Sequence, residues 1–441
     1  MSWITRNETR TVDGVVHPLF AIFYFLLTGF SFNSITAGQP FMRWMAFAVM
    51  SCGGVWLLWR VFHWREYKNM PLLWLWAAFL ISYGISSLLT ASYGIVGNGK
   101  AMIWMALEFF LLFPMGKNRT AGEKLAAEKI FYGTVIFYTA VQALISLGML
   151  AVGYQGVSVE RGMYLGVQLG RLWGSYSDPN YGAILSAASI LCSLWMMKQV
   201  QRGRAIWLFN LVLQYLYIAF SYSRSGQICL AAAGIFTYLA VWPNIGGAKW
   251  KKALLGLILL LVLLPGIYVV REGYNRTHLT VYAAEEEKAA LHREEELKED
   301  FSNGRFAIWK DGWHVFQKNP IFGISYRNIA PYMEENFPDA YMVTKENSLN
   351  TFHNMWVDVA VSQGAVGFLL LLGAVICLGK RCIAMLRDWR ESEFFTRAFP
   401  YLMVGTIGIG ALFVSDIFYV NTPTAVIFWF CLGRCFFRER V

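Results

Sequence analysis

Long apolar runs, separated by short polar connections, recur from one end of the chain to the other. Most runs have roughly 17–22 residues, the length that an α-helix needs to cross a hydrocarbon layer of about 30 Å. The pattern predicts an all-α, polytopic membrane protein with about twelve transmembrane helices and no separate soluble domain. The predicted spans are residues 16–36, 41–60, 71–91, 99–116, 129–152, 179–198, 204–222, 225–243, 251–271, 354–379, 396–416 and 421–437.

Lysine and arginine are concentrated in alternate connections between these spans. The richer set of connections includes both ends of the chain, and its basic residues include Arg65, Lys68, Lys124, Arg202, Lys251, Arg381 and Arg387. Because cytoplasmic connections are enriched in Lys and Arg, we expect both termini to be cytoplasmic. This topology divides the chain into spans one to nine (1–271), one large external loop between spans nine and ten (272–353), and spans ten to twelve (354–441).

The composition agrees with a membrane protein, since 56% of the residues are hydrophobic and only 15% are charged. The formal net charge of +10 follows from the cytoplasmic connections and suits contact with anionic lipids. We therefore expect membrane lipids, and no nucleic acid, as partners. No CxxC motif occurs, and most cysteines lie in apolar runs, where they are expected to be small buried hydrophobic residues. These cysteines are Cys52, Cys192, Cys229, Cys377 and Cys431.

The predicted external loop contains two different helical patterns. Residues 283–300 alternate acidic and basic side chains at helical spacing, which predicts a solvated, charged arm. The following stretch, "GRFAIWKDGWHVFQK", predicts an amphipathic helix at the membrane surface. Its aromatic face comprises Phe306, Trp309, Trp313 and Phe316. Ser302 or Asn303 is the expected N-cap, which places Arg305 in the first turn.

Two further arginines are predicted near the same outer surface. Arg171 lies in "LGRLWGSYSDPNYG", where Asp178 and Pro179 predict a turn followed by the start of span six. Arg224 lies in "SYSRSG", the tight turn between spans seven and eight. A single arginine at this level is usually a lipid anchor. Three arginines at one level, near a histidine, favour a binding site for an anion.

His353 and Asn354 stand at the entrance of span ten, in "TFHNMWVDVAVSQGAVG". With Thr351 as the expected cap, His353 lies in the first helical turn, where the helix dipole disfavours imidazolium by up to about 1 kcal/mol. A neutral imidazole can act as a general base. A hydrogen-bonded structural histidine is the alternative, and His314 is the second candidate base. We expect His353 and the arginines to converge on one pocket at the external rim.

The chemistry that fits such a pocket is group transfer from a donor that arrives already activated, because no ATP or nucleotide sugar is available outside the cytoplasm. A saccharide linked to a lipid diphosphate is such a donor. Guanidinium groups bind phosphate oxygens in a bidentate manner. The diphosphate gains charge as the sugar–oxygen bond breaks, so fixed arginines favour the transition state over the ground state.

Four segments carry a resemblance to one family. "HNMWVDVAVSQGAVG", which contains Gly364 and Gly367, resembles the histidine signature of the O-antigen ligase and O-antigen polymerase superfamily, which includes bacterial protein O-oligosaccharyltransferases. "RLWGSYSDPNYG", with ten residues between Arg171 and Gly182, is similar to an arginine pattern of the polymerases. "SYSRSG" and "GRFAIWKDGWHVFQKNPIFGIS" resemble two further family segments and precede the histidine in the same order.

The resemblance implies an inverting transfer of glycan from undecaprenyl diphosphate to an acceptor hydroxyl, without metal or other cofactor. It places the reaction at the external, periplasmic side of the bacterial inner membrane. By matching segment, His353 is the base, Arg224 and Arg305 hold the diphosphate, and Arg171 is a second phosphate or sugar contact. Asn354 and Asp178 complete the candidate substrate-binding set.

Several alternatives remain open from the sequence. Polymerisation of O-antigen, capsule or exopolysaccharide repeat units is favoured over ligation to lipid A-core, and the acceptor is accordingly a glycan or a lipid-linked glycan. A protein O-oligosaccharyltransferase and a membrane transporter or flippase are weaker alternatives. Other polysaccharide-export proteins are further candidate partners. Glu108, within span four, and the charged arm at 283–300 have no assigned role.

Overall fold

The computed structural model describes residues 2–115, 120–158, 163–279, 302, 304–345 and 350–437, with the side chains of residues 2–16, 66, 158, 278 and 279 left aside. The predicted charged arm at 283–300 and the predicted cap Asn303 lie outside the described residues.

The described chain is mostly helical. Its helices are α1 (Ser2–Ser31), α2 (Pro40–Phe62), α3 (Trp64–Tyr67), α4 (Leu73–Leu89), α5 (Val96–Leu107), α6 (Ala121–Ala151), α7 (Pro179–Gln199), α8 (Arg204–Phe220), α9 (Arg224–Val241), α10 (Lys249–Leu279), α11 (Arg305–Lys318), α12 (Ile329–Asn336), α13 (Tyr341–Thr344), α14 (Met355–Leu386), α15 (Phe394–Gly410) and α16 (Pro423–Phe436). A π-helical turn, Glu108–Leu112, follows α5, and 3₁₀ turns occupy Ala91–Tyr93, Trp242–Asn244 and Tyr326–Asn328.

Each of the twelve predicted spans contains a helix in the structure. Six helical stretches among the described residues are long and apolar enough to cross a membrane: Pro40–Phe62, Ala121–Ala151, Pro179–Gln199, Arg224–Asn244, Lys249–Thr277 and Met355–Leu386. Shorter apolar helices occupy His17–Ser31, Leu73–Leu89, Arg204–Phe220 and Pro423–Phe436. The membrane class is thereby supported, whereas the count of twelve spans and the cytoplasmic termini stay predictions.

The prediction of an all-α fold is wrong in one segment. The connection between α6 and α7 forms a three-stranded antiparallel sheet of β1 (Gln155–Ser158), β2 (Met163–Gln168) and β3 (Arg171–Gly174), in the order β1-β2-β3. Gly166 and Gly174 have φ of +73° and +65°, a conformation that L-residues with a Cβ rarely adopt. A Cβ at Gly166 would also meet the carbonyl oxygen of Tyr154 at 1.9 Å, so glycine is required there.

The chain divides into two compact units. The first comprises residues 1–46, 118–299 and 385–410. Its centre is α7, which packs against α6, α8, α9 and α15. Small residues allow the close approach, since an added Cβ on Gly226 of α9 would lie 2.3 Å from the Cβ of Ala183 on α7. The core also contains paired polar groups, since Asn210 donates to Ser189 and Ser193.

The second unit comprises residues 47–117, 300–384 and 411–441. Its longest helix, α14, is interrupted at Gly364, which has φ of +62° and ψ of −159°. The interruption frees backbone groups that the extended segment 320–325 then satisfies: Ile324 and Ser325 donate to the carbonyl oxygens of Val361 and Ser362, and Ala365 donates to that of Pro320. Broken helices persist at membrane depth only where the freed backbone groups find such partners.

The same loop segment is tied to the α4–α5 hairpin of the second unit. Asn98 accepts from the hydroxyl of Tyr83 and donates to Asn328, and Asn328 in turn donates to the carbonyl oxygen of Thr90. Tyr83, Thr90, Asn98 and Asn328 are all buried. The loop between α11 and α14 is therefore held by specific hydrogen bonds at both of its sides.

Candidate active site

The turn that carries His353 differs from the predicted geometry. Helix α14 begins at Met355, and the side chain of Asn354 caps it by accepting from the backbone N–H groups of Trp356 and Val357. His353 thus precedes the helix instead of lying in its first turn, and Thr351 is not the cap. His353 has φ of +52°, a left-handed conformation that costs a residue with a Cβ roughly 1–2 kcal/mol. Such outliers persist where surrounding contacts determine them.

Those contacts converge on Asp358, one turn into α14, which is 1% exposed. Its carboxylate accepts from the backbone N–H of Phe352 at 2.8 Å, from the hydroxyl of Thr351 at 2.8 Å, and from the hydroxyl of Ser415. The Thr351 oxygen also accepts from the backbone N–H of His353 at 3.0 Å. Asp358 thereby fixes the residues immediately before His353, and the sequence interpretation missed this role.

Arg305 opens α11, as predicted, but the cap is different. The N-cap residue is Gly304, with φ of +77° and no side-chain capping bond, so the expected cap at Ser302 is wrong. The Arg305 guanidinium carbon lies 5.4 Å from the ring centroid of Phe413, within the range of a cation–π contact. One turn later, the indole N–H of Trp309 donates to the carbonyl oxygen of Phe352 at 3.1 Å.

This bond joins the helix that begins with Arg305 to the turn that carries His353. Residues four apart share one face of a helix, so Arg305 lies on the face of α11 that contacts Phe352, the residue before His353. Gly312 belongs to the same face, because a Cβ there would lie 3.0 Å from the Phe352 ring. Within the second unit, the helix that begins with Arg305 thus packs against the turn that carries His353.

The aromatic residues of α11 include exposed rings, in agreement with a surface helix. Phe306 is 67% and Trp313 is 55% exposed, whereas Ile308, Asp311, Gly312 and Val315 form the buried face. Exposed aromatic rings on an amphipathic helix are typical of the membrane interface. His314, the second candidate base, lies on the opposite side of α11 from Trp309, since the two are five residues, or about 500°, apart.

In the first unit, Arg171 is a buried brace. It is 5% exposed, and its guanidinium donates to the carbonyl oxygen of Ser221 at 2.8 Å and to the side-chain oxygen of Asn180 at 3.1 Å. That oxygen of Asn180 also accepts from the hydroxyl of Ser223 at 3.0 Å. Arg171 therefore holds the turn of residues 221–223 that leads directly into Arg224.

Arg224 is the first residue of α9, and Ser223 caps this helix by accepting from the backbone N–H of Gly226. Tyr222, just before the cap, has φ of +52°. The backbone N–H groups at the N-terminus of a helix favour anions. The half-buried Arg224 adds a positive charge at the same place, and this charge also favours an anion. This arrangement can bind a phosphate group.

Asp178 caps α7, with Pro179 at its first position, as the sequence predicts. Its carboxylate accepts from the backbone N–H groups of Asn180 and Tyr181 at 2.6 and 3.4 Å. The capping bonds give Asp178 a structural function, and through Asn180 they also fix the side chain that contacts Arg171. A direct substrate contact by Asp178 or Asn354 stays a prediction.

Among the residues that the structure describes, no group of three or more His, Cys, Asp or Glu side chains is placed to hold a metal ion. All seven cysteines are free. Cys192, Cys229 and Cys431 are buried, as expected, but Cys52 is exposed and Cys377 is half-buried. Glu108 is buried at the start of the π-helical turn.

Comparison with known proteins yields one family. No curated protein matches the chain. Residues 209–372 match the family model described as O-antigen ligase, a little over a third of the chain. This segment includes Arg224, Arg305, His353 and Asn354, whereas Arg171 and Asp178 precede it. Over residues 209–372, the match confirms the resemblance to the O-antigen ligase and O-antigen polymerase superfamily.

Proposed function

We propose that this membrane glycosyltransferase moves glycan from an undecaprenyl-diphosphate-linked donor to an acceptor hydroxyl at the outer face of the cytoplasmic membrane. The favoured reaction is polymerisation of O-antigen, capsule or exopolysaccharide repeat units. The observation that carries the proposal is the histidine turn of the second unit, where buried Asp358 fixes the residues before His353 and Trp309 fixes the helix that begins with Arg305.

The proposed step is a single displacement at the anomeric carbon of the donor. The acceptor hydroxyl gives its proton to the His353 imidazole as the new carbon–oxygen bond forms. The bond between the anomeric carbon and the diphosphate oxygen breaks, and its electron pair leaves with undecaprenyl diphosphate. Attack opposite the leaving group inverts the anomeric configuration, and the imidazolium then loses its proton to solvent. No metal or other cofactor takes part.

The arginines act on the leaving group. Arg224 and Arg305 hold the diphosphate, and each charge-assisted hydrogen bond contributes roughly 1.5–3 kcal/mol. Their contribution to the rate comes from the charge that develops on the diphosphate in the transition state. Arg171 acts through the 221–223 turn as a positioning residue for Arg224, because its guanidinium already binds Ser221 and Asn180.

Ligation to lipid A-core is the second candidate, because the matching family model is described as O-antigen ligase. The two reactions share the donor, the base and the leaving group. They differ only in the acceptor, which is a second lipid-linked glycan for a polymerase and a core saccharide for a ligase. Both reactions would use the same proposed base and the same proposed phosphate contacts.

The test is a transfer assay with purified protein in nanodiscs. Lipid-linked repeat units alone, or mixed with lipid A-core, serve as substrates, and products are separated by chain length. A ladder of longer products from repeat units alone supports polymerisation. Products that require lipid A-core indicate a ligase, and the absence of transfer to either acceptor, from protein that binds the donor, contradicts the polymerase and ligase reactions.

A further inference from the structure

A cleft of about 490 Å³, lined by both polar and apolar side chains, lies on α11 and the chain that follows it, within the second unit. Its volume is in the range of small-molecule sites, which hold roughly 300–1,000 Å³. The residues that matter for its chemistry come from α11, from the end of α12 and from the turn into α13. They are Lys310, Asp311, His314, Asn336, Asp339 and Tyr341.

The cleft occupies the side of α11 that faces away from the histidine turn. At about 100° per residue, Lys310, Asp311 and His314 project roughly 140–240° around the helix from Arg305. The exposed rings Phe306 and Trp313 lie roughly 100° and 80° from Arg305 on the same scale. The cleft is thus separated from Arg305 by about one helix diameter, 10–12 Å.

The floor of the cleft is ordered by the protein itself. Asp311 is 8% exposed, and one carboxylate oxygen accepts from the backbone N–H of Met342 at 2.9 Å. The amide nitrogen of Asn336 donates to the hydroxyl of Tyr93 at 3.0 Å and to the carbonyl oxygen of Tyr332 at 3.1 Å. Both amide protons are used, so the Asn336 carbonyl oxygen is left as an acceptor for a ligand.

The donors and acceptors of the cleft are balanced. Asp311, Asp339 and the Asn336 oxygen accept hydrogen bonds, whereas Lys310, His314 and Tyr341 can donate them. Two carboxylates beside one lysine disfavour a phosphate, and these polar groups disfavour a lipid chain. A ligand rich in hydroxyl groups, each both a donor and an acceptor, matches the mixture, and the Tyr341 ring offers an apolar surface to the carbon–hydrogen face of a sugar.

We propose that this cleft is a saccharide-binding subsite, distinct from the reaction centre, that holds sugar residues of the glycan substrate beyond the one that reacts. The proposal rests on the proposed glycosyltransferase function for its ligand class. A glycan whose reactive end lies at His353 reaches the cleft by passing around one helix. The subsite selects among glycans by their sugar composition and takes no part in the proton transfer. His314 accordingly contacts sugar and is not an alternative base.

Binding is the direct test, with the repeat-unit oligosaccharide released from its lipid by mild acid as the probe. Titration of the full-length protein in nanodiscs, followed by calorimetry, gives the affinity. Asp339→Ala and Lys310→Ala, both at exposed positions, are expected to weaken binding about tenfold each, the effect of losing one good hydrogen bond. Glu335→Ala, on exposed α12 surface outside the cleft, is the matched control and is expected to bind as the wild type does.

The outcomes separate the subsite from the catalytic proposal. His353→Ala is expected to bind the probe with wild-type affinity while transfer is lost. If the wild-type protein has no transferase activity but Asp339→Ala still weakens probe binding, the subsite proposal stands and the proposed glycosyltransferase function is wrong. Wild-type probe affinity in both Asp339→Ala and Lys310→Ala, in a protein that transfers glycan, would overturn the subsite alone.

Discussion

Two turns, one in each unit, have nearly the same backbone design and opposite electrostatics. Tyr222 and His353 both have φ of +52°, and each stands directly before the residue that caps a helix, Ser223 or Asn354. A buried charged side chain holds each turn. In the first unit a cation, Arg171, binds a carbonyl oxygen of the turn; in the second an anion, Asp358, binds a backbone N–H.

The difference lies in which residue each turn presents. The cationic brace supports a turn that ends in a second cation, Arg224, whereas the anionic brace supports a turn that carries an imidazole. The Asp358 carboxylate accepts from the backbone N–H immediately before His353 and so holds the turn that carries the imidazole. A guanidinium near Arg224 strengthens the attraction for an anionic ligand. The two turns are thus suited to a base and to a phosphate contact.

The largest effect is expected from His353→Ala. Removal of a general base typically lowers the rate by about 10²–10⁴-fold, while donor binding is retained because the arginines are unchanged. Single-turnover rates and donor affinity, measured on the same nanodisc sample, check this. His314→Ala is the comparison, and it is expected to lower the single-turnover rate far less. Normal turnover in His353→Ala would exclude the histidine turn as the site of the base.

Arg305→Lys is expected to reduce kcat/KM by about 10- to 100-fold. A guanidinium group can make two parallel charge-assisted hydrogen bonds to a phosphate, and the lysine ammonium group loses one of them. Arg327→Lys, at another loop arginine of the same unit that no proposal places in the site, provides the control. A rate close to that of the wild type in Arg305→Lys would reduce Arg305 to a lipid anchor and leave the cation–π contact with Phe413 as its function.

Asp358→Asn tests the anionic brace. The substitution keeps the size of the side chain but loses charge-assisted acceptance from Phe352 and Thr351, which costs about 1–3 kcal/mol. We expect kcat to fall about tenfold while the donor KM changes little, because the base is displaced and the phosphate contacts are not. Thr351→Val removes one of the same bonds and is expected to give a smaller change of the same kind. A raised donor KM with an unchanged kcat would contradict the assignment.

Arg171→Lys tests the cationic brace and is expected to show the converse pattern. Lysine cannot bind Ser221 and Asn180 with one planar group, so the turn before Arg224 loosens. The donor KM is expected to rise several-fold, with a smaller change in kcat. If both brace variants instead change kcat and KM alike, the two turns do not have separate functions.

Chelation is expected to have the smallest effect. Activity in the presence of EDTA should equal that in buffer alone, because the proposed step uses imidazole and guanidinium groups only. Loss of activity that Mg²⁺ or Mn²⁺ restores would indicate a metal mechanism, with Asp178 the first ligand to examine.

Hydropathy predicts the positions of the helices, and the capping residues predict where α7 begins. Every predicted span contains a helix, and Asp178-Pro179 starts α7 as expected. These features are local, since they depend on residue type over a few turns. The sheet of residues 155–174 was not predicted, because its three short strands are rich in glycine and pair with one another instead of showing a long alternating pattern.

The chemical type of a residue is enough to name the candidate site residues. It does not identify the residues that hold them in position. Nothing local distinguishes Asp358 from any other acid in a helix, and its importance comes from Phe352 and Thr351, which fold back onto it. The left-handed conformation of His353 likewise depends on tertiary contacts. Arg171 is likewise named from its residue type as a substrate contact, and its bonds to Ser221 and Asn180, which give it a structural function, are tertiary.

The interruption of α14 at Gly364 constrains the number of residues between the Asn354 cap and the break. The segment that begins with the Asn354 cap and ends at the break is pinned at one end by Asp358 and at the other by Ile324 and Ser325. One inserted or deleted residue between these anchors would turn the upstream part of the helix by about 100°, and the imidazole would point elsewhere. The number of residues between His353 and Gly364 therefore sets the direction in which the imidazole points.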